Sequence, residues 1–163
     1  MFPDDIDQLA RRVLELARAG GLSLATVESC TGGLVAGALT AVPGSSDVVD
    51  RGFVTYSNAA KTALVGVPAA LIEAHGAVSE PVARAMAEGG VRLGGVDVAV
   101  AITGVAGPGG GTADKPVGLV HFAVARRGAA TFHREMRFGD IGREPVRLES
   151  VRTALAMLVG ELA

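Results

Sequence analysis

Three polar clusters in this 163-residue chain carry side chains able to do chemistry. The first is Glu28-Ser29-Cys30-Thr31-Gly32-Gly33, a hydroxyl placed directly after an apolar run and followed by glycines. A serine there can attack a carbonyl if a base stands nearby. The N–H groups of Thr31, Gly32 and Gly33, at a helix start, could instead hold an anion. On residue type alone, capping a helix is the commoner job of such a hydroxyl. The second cluster is Tyr56-Ser57-Asn58 with Lys61, one of only two lysines. Burial lowers a lysine pKa and makes the free amine a base, whereas an exposed lysine is merely solvated. The third is Thr103-Gly104-Val105-Ala106-Gly107-Pro108-Gly109-Gly110-Gly111. Its N–H groups, Gly104 and Gly107 among them, could wrap a phosphate or form an oxyanion site. It matches neither the P-loop nor the dinucleotide fingerprint in its required setting.

Other side chains narrow the chemistry. His75, His121 and His133 fall near a helix end, inside a hairpin and on its far strand, so a Ser-His-Asp triad is not expected. Arg143 and Arg147 are candidates for clamping a phosphate, or form a solvated face with Glu144 and Glu149. No spacing of His, Cys and carboxylates resembles a metal site, and Cys30 stands alone.

The elements that must position these clusters can be read from periodicity. Ile6, Leu9, Val13 and Leu16 describe a helix opened by Pro3 and closed by Gly20-Gly21. Leu22–Val27 reads as a buried strand running into Ser29, and Gly32–Ala41 as a helix. Phe53–Tyr56 is a second strand, followed by a helix over Asn58–Val65. Pro68 opens a short helix, and Ser79 is placed to N-cap a longer one reaching Leu93. Val96–Ile102 is a strand buried on both faces. Val117–Ala125 and Ala130–Phe138 make a hairpin turning at Gly128, and Leu148 to Leu162 mark a last helix. This order predicts an α/β fold, a three-layer α/β/α sandwich with a mixed, mostly parallel sheet. Ligands of such sheets bind at the carboxyl ends of the strands, where all three clusters fall.

Composition sets the limits. Residues 1–163 fit one domain. Hydrophobic residues make up 49% of the chain and aromatics 4%, so the core is aliphatic. A net charge of −2 offers no footprint for nucleic acid. The acidic N-terminus lacks a signal core, and no apolar run approaches the roughly 18 residues of a membrane span. A cytoplasmic protein, assembled as a homo-oligomer through apolar, glycine-rich surfaces, is expected.

The three clusters, with Gly52–Lys61, Gly76-Ala77-Val78-Ser79-Glu80 and Lys115-Pro116-Val117-Gly118, resemble in order the motifs of the CinA C-terminal domain family, in its stand-alone form. The resemblance implies hydrolysis of the carboxamide of nicotinamide mononucleotide (NMN) to nicotinate mononucleotide and ammonia, without metal or organic cofactor. It makes Ser29 the nucleophile, Lys61 its base and Tyr56 an aid to proton transfer. It gives Ser46 and Thr103 to the substrate or oxyanion, and Thr31, Gly32 and Gly33 to the phosphate end. The family's Gly-Asp-Arg motif appears as Gly139-Asp140-Ile141-Gly142-Arg143, two residues longer, so Arg143 and Arg147 stay alternatives for the phosphate. Ser29 and Ser46 stay alternatives for the nucleophile. A reading of a different class is a catalytically silent nucleotide-binding or interaction module linked to competence or DNA damage. A third is amide hydrolysis on another pyridine nucleotide or small amide. Intact Ser29, Tyr56 and Lys61 favour the enzyme.

Overall fold

A computed structural model describes all 163 residues. Helix α1 (Asp4–Gly20) begins after Pro3, carries Asp4, Asp5 and Asp7 in its first turn, and ends at Gly21 in the left-handed conformation. The acids complement the positive end of the helix dipole. Ile6, Ala10, Val13, Leu14 and Ala17 are its buried stripe. Strand β1 (Leu24–Glu28) is buried throughout and leads through a turn into α2 (Leu34–Thr40). A 3-10 turn, Ser45–Asp47, precedes β2 (Val49–Val54). Three helices follow: α3 (Asn58–Val65), α4 (Ala69–His75) and α5 (Glu80–Gly94). Then come β3 (Val98–Gly104), the hairpin β4 (Leu119–Arg126) and β5 (Phe132–Arg137), and α6 (Arg143–Leu162). No helix is long and apolar enough to cross a membrane.

The five strands form one sheet in the order β2-β1-β3-β4-β5. β1 pairs in parallel with both β2 and β3, while β3–β4 and β4–β5 are antiparallel. The expected sheet is therefore corrected from mostly parallel to evenly divided. The β4–β5 hairpin is one of the two antiparallel junctions, as a tight hairpin must be, and the long segment between Gly104 and Leu119 lets β4 run back against β3 as the other. Helices α1, α2 and α6 pack together on one face, and α3, α4 and α5 on the other. The aliphatic core splits accordingly: Val98, Val100 and Ile102 face the first layer, and Val27, Ala101 and Ala123 the second.

One strand start and one helix cap differ from expectation for physical reasons. β2 starts at Val49, four residues early, because it is an edge strand where Asp50, Arg51 and Gly52 remain exposed. Its polarity hid it. Ser79 sits at the N-cap of α5, but its hydroxyl donates to the Gly76 carbonyl at 2.8 Å and makes no cap bond.

The chain leaves β1 for β2 through α2 on one face and returns to β3 through α3–α5 on the other. β1 and β3 therefore flank the switch point, the crevice where open sheets bind ligands. The glycine at 89 lets α5 lie close to α3: a Cβ there would stand 1.8 Å from the Val65 carbonyl oxygen.

Candidate active site

Ser29 directly follows β1 and is almost fully buried. Its N–H donates to the Ile102 carbonyl of β3 at 2.9 Å, and its own carbonyl accepts from Gly32 N–H at 3.0 Å. The turn that follows needs left-handed backbone at Gly32 (φ 57°) and Gly33 (φ 103°), which glycine adopts without steric cost.

Lys61 comes from α3. Ser57 caps that helix by accepting from Ala60 N–H at 3.0 Å. Lys61 and Val65, one turn apart, are its two buried residues, so the helix aims the lysine inward. The side chain is 1% exposed, and its Nζ lies 3.1 Å from Ser29 Oγ. Its other neighbours are the carbonyls of Thr55 at 2.9 Å and Ser57 at 3.5 Å. No carboxylate pairs with it. Desolvation lowers its pKa below the ordinary value of 10.5. Its three N–H bonds meet these three oxygens as an ammonium; on losing one proton the amine keeps two for the carbonyls and turns a lone pair to the Ser29 hydroxyl. Cys30 gives no counter-charge, because burial pushes its thiol up to about 12 and keeps it neutral.

Two N–H groups in the first turn of α2 are engaged from within the chain. Glu28, fully buried, accepts from Val35 N–H at 2.8 Å, Ala36 N–H at 3.0 Å and the Thr26 hydroxyl at 3.1 Å. The dipole of α2 therefore stabilises Glu28. Of Thr31, Gly32 and Gly33, the residues expected at the phosphate, only Gly32 has its N–H engaged within the chain. The Thr31 hydroxyl is buried with no partner, and Gly32 N–H is spent on Ser29.

The cleft beside Ser29 has a volume of about 290 Å³. Cys30, Tyr56, Val78, Gly104, Gly107, Gly109, Gly110 and Arg143 line it, and none of its lining residues is a carboxylate. The backbone N–H of Cys30 donates to no group of the chain. Arg143 spans the rim, donating to the Gly107 carbonyl at 2.8 Å and the Tyr56 hydroxyl at 3.0 Å. Tyr56 is 60% exposed and bonds to neither Ser29 nor Lys61.

The remaining expected residues fall elsewhere. Thr103 is buried in β3 and donates its hydroxyl to the Ala77 carbonyl at 2.9 Å, bracing the loop before α5. Arg147 does not face the cleft. It donates to the Cys30 and Thr31 carbonyls, both at 3.1 Å. Ser46 lies before β2, at the amino end of the sheet, because Leu24 pairs with Val49 and Glu28 with Val54. One chain thus separates Ser46 from Ser29, and the proposed exchange of roles fails within it: Lys61 meets Ser29. Glu28 was missed by the sequence reading. A carboxylate closing a buried strand before a helix start was the available signal.

The fold and site together define a class: an α/β protein with a buried, histidine-free serine–lysine pair at the switch point of its sheet. Residues 6–162 match the model of the CinA C-terminal domain, and the chain belongs to that family. It is 54% identical over 159 residues to a CinA-like protein of Anaeromyxobacter dehalogenans, covering 97% of this chain and 38% of that protein. The chain therefore spans well under half the length of such curated relatives. Among solved structures, the competence/damage inducible protein CihA from Agrobacterium tumefaciens is 54% identical with a TM-score of 0.96, covering 98% of this chain and 97% of that one. A CinA superfamily protein from Klebsiella pneumoniae is 40% identical with a TM-score of 0.91, over 96% of this chain and 97% of that one.

Proposed function

We propose that residues 1–163 form one catalytic domain that hydrolyses the carboxamide of NMN to nicotinate mononucleotide and ammonia. The observation carrying this is the Lys61 Nζ–Ser29 Oγ contact of 3.1 Å in a buried setting without a counter-ion.

The neutral Lys61 amine takes the Ser29 proton as Oγ forms a bond to the carboxamide carbon. The resulting oxyanion is met by Cys30 N–H, the donor following the nucleophile. The C–N bond then breaks. Lys61 ammonium returns its proton to the departing nitrogen, giving ammonia and an ester on Ser29. Water, deprotonated by Lys61, attacks that ester and releases nicotinate mononucleotide and the Ser29 hydroxyl. Tyr56 and Arg143 sit at the rim, where Arg143 can exchange the Gly107 carbonyl and Tyr56 hydroxyl for a phosphate. The positive pyridinium ring of NMN makes its carboxamide more electrophilic than an ordinary amide, and the lining holds no carboxylate to repel the phosphate.

The test is ammonia release from NMN by the purified protein and by Ser29→Ala and Lys61→Ala. Loss in both variants is expected. Undiminished release by both would sink the pair, and no release by the wild type from NMN or related amides would favour a silent nucleotide-binding module.

A further inference from the structure

Arg147 reaches the nucleophile turn from α6, 117 residues away in sequence, and both its contacts are backbone carbonyls. Its Nη2 donates to the Thr31 carbonyl at 3.1 Å. The N–H of that same peptide group belongs to Gly32 and donates to the Ser29 carbonyl at 3.0 Å. The N–H of the Ser29 peptide group belongs in turn to Cys30, which lines the cleft and has no acceptor in the chain. In a trans peptide the C=O and N–H point in opposite directions. The guanidinium, two peptide groups and the Cys30 N–H therefore form one directed chain ending at the cleft. A second bond, from Nε to the Cys30 carbonyl at 3.1 Å, fixes the intervening turn.

We propose that Arg147 is a positioning residue that aims and polarises the Cys30 N–H through these two peptide groups. Chains of hydrogen bonds polarise one another, and a full charge at one end strengthens the donor at the other. Arg143, at the rim, takes the anion. Arg147, one helical turn further along α6, sets the oxyanion donor. Glu28 holds the other side of the turn by binding the start of α2, so Arg147 is not required for the fold of α2 itself. The identity of the oxyanion rests on the amidohydrolase reading; the relay rests on backbone geometry.

The experiment compares wild type, Arg147→Met and Arg147→Lys by two readouts. In ¹H–¹⁵N spectra, the Cys30 amide proton moves upfield in Arg147→Met, and Arg147→Lys returns it part of the way. In ammonia release from NMN, kcat for Arg147→Met falls about tenfold with KM within about twofold, a fraction of the roughly 100-fold cost of deleting an oxyanion donor. An unmoved Cys30 resonance in Arg147→Met overturns the relay whether or not NMN is turned over. A loss that appears in KM alone overturns it too, because Arg147 would then bind substrate. If the wild type releases no ammonia while the Cys30 resonance moves, the relay stands and the amidohydrolase reading fails. Should Arg147→Met not fold, Arg147→Lys decides: a folded lysine variant with an upfield Cys30 resonance, a lowered kcat and an unchanged KM supports the relay, and one with a wild-type resonance, or an upfield resonance but wild-type kcat, refutes it.

Discussion

Replacing Lys61 with methionine separates the chemistry from the packing. Methionine keeps an unbranched stem in a site that leaves the lysine 1% exposed, so the surrounding core can persist. The amine is the one base within hydrogen-bond reach of Ser29 Oγ, at 3.1 Å. Removing a positioned general base costs about 10²–10⁴-fold in rate, and that loss is expected in kcat for ammonia release. Stability supplies an independent check. Desolvation lowers the folded pKa of Lys61 below 10.5, so between that lowered value and 10.5 the unfolded chain binds the extra proton. Stability rises with pH wherever the unfolded state holds more protons. Across this window the wild type should therefore gain up to about 1.4 kcal/mol per pH unit relative to Lys61→Met. Urea unfolding followed by circular dichroism from pH 7 to 10.5, with ammonia release measured on the same preparations, tests both parts. A variant keeping more than a tenth of wild-type kcat, or a stability difference that does not change with pH, would refute the reasoning.

Other perturbations follow from the same geometry. Arg143→Gln should raise KM for NMN about tenfold or more, since hydrogen bonds to charged groups contribute about 1.5–3 kcal/mol; kcat should hold within about twofold in steady-state assays. Cys30 has the opposite pH sense from Lys61. Its thiol keeps its proton to about 12 when folded, against an ordinary value of 9.0, so stability falls as pH rises above 9. Cys30→Ala should remove that fall, worth about 2 kcal/mol by pH 10.5 in urea unfolding. Gly89→Ala would set a methyl 1.8 Å from the Val65 carbonyl and force α3 and α5 apart. A loss of about 3 kcal/mol is expected, outweighing the roughly 1 kcal/mol that alanine gains in helix propensity. It should appear as a fall in Tm of about 6–12 °C.

The elements most legible in the sequence were those whose burial is strongly periodic or continuous. The span Asn58–Val65 is the observed α3, and the β4–β5 hairpin follows the expected order. The edge strand β2 was half hidden because its middle is polar and exposed, which gives no alternation to read. The count of parallel junctions was overstated because strand order, which decides it, is not a local property. At the site, Ser29 and Lys61 are 32 residues apart, and only the paths of β1 and α3 bring them together. The buried carboxylate of Glu28, which takes the Val35 and Ala36 N–H groups of α2, gave little local signal of that role.

The family, the aliphatic α/β fold and the placing of three polar clusters at strand ends were legible along the chain. These are consequences of composition, period and local motif. Packing in three dimensions was needed to bury Lys61 against Ser29, to stand Arg143 at the rim while Arg147 grips the turn behind the nucleophile, and to put Ser46 at the far end of the sheet. The physical reason is that a pKa, a hydrogen-bond partner and a direction depend on what surrounds a group in space. Those surroundings come here from segments 32 to 117 residues away along the chain.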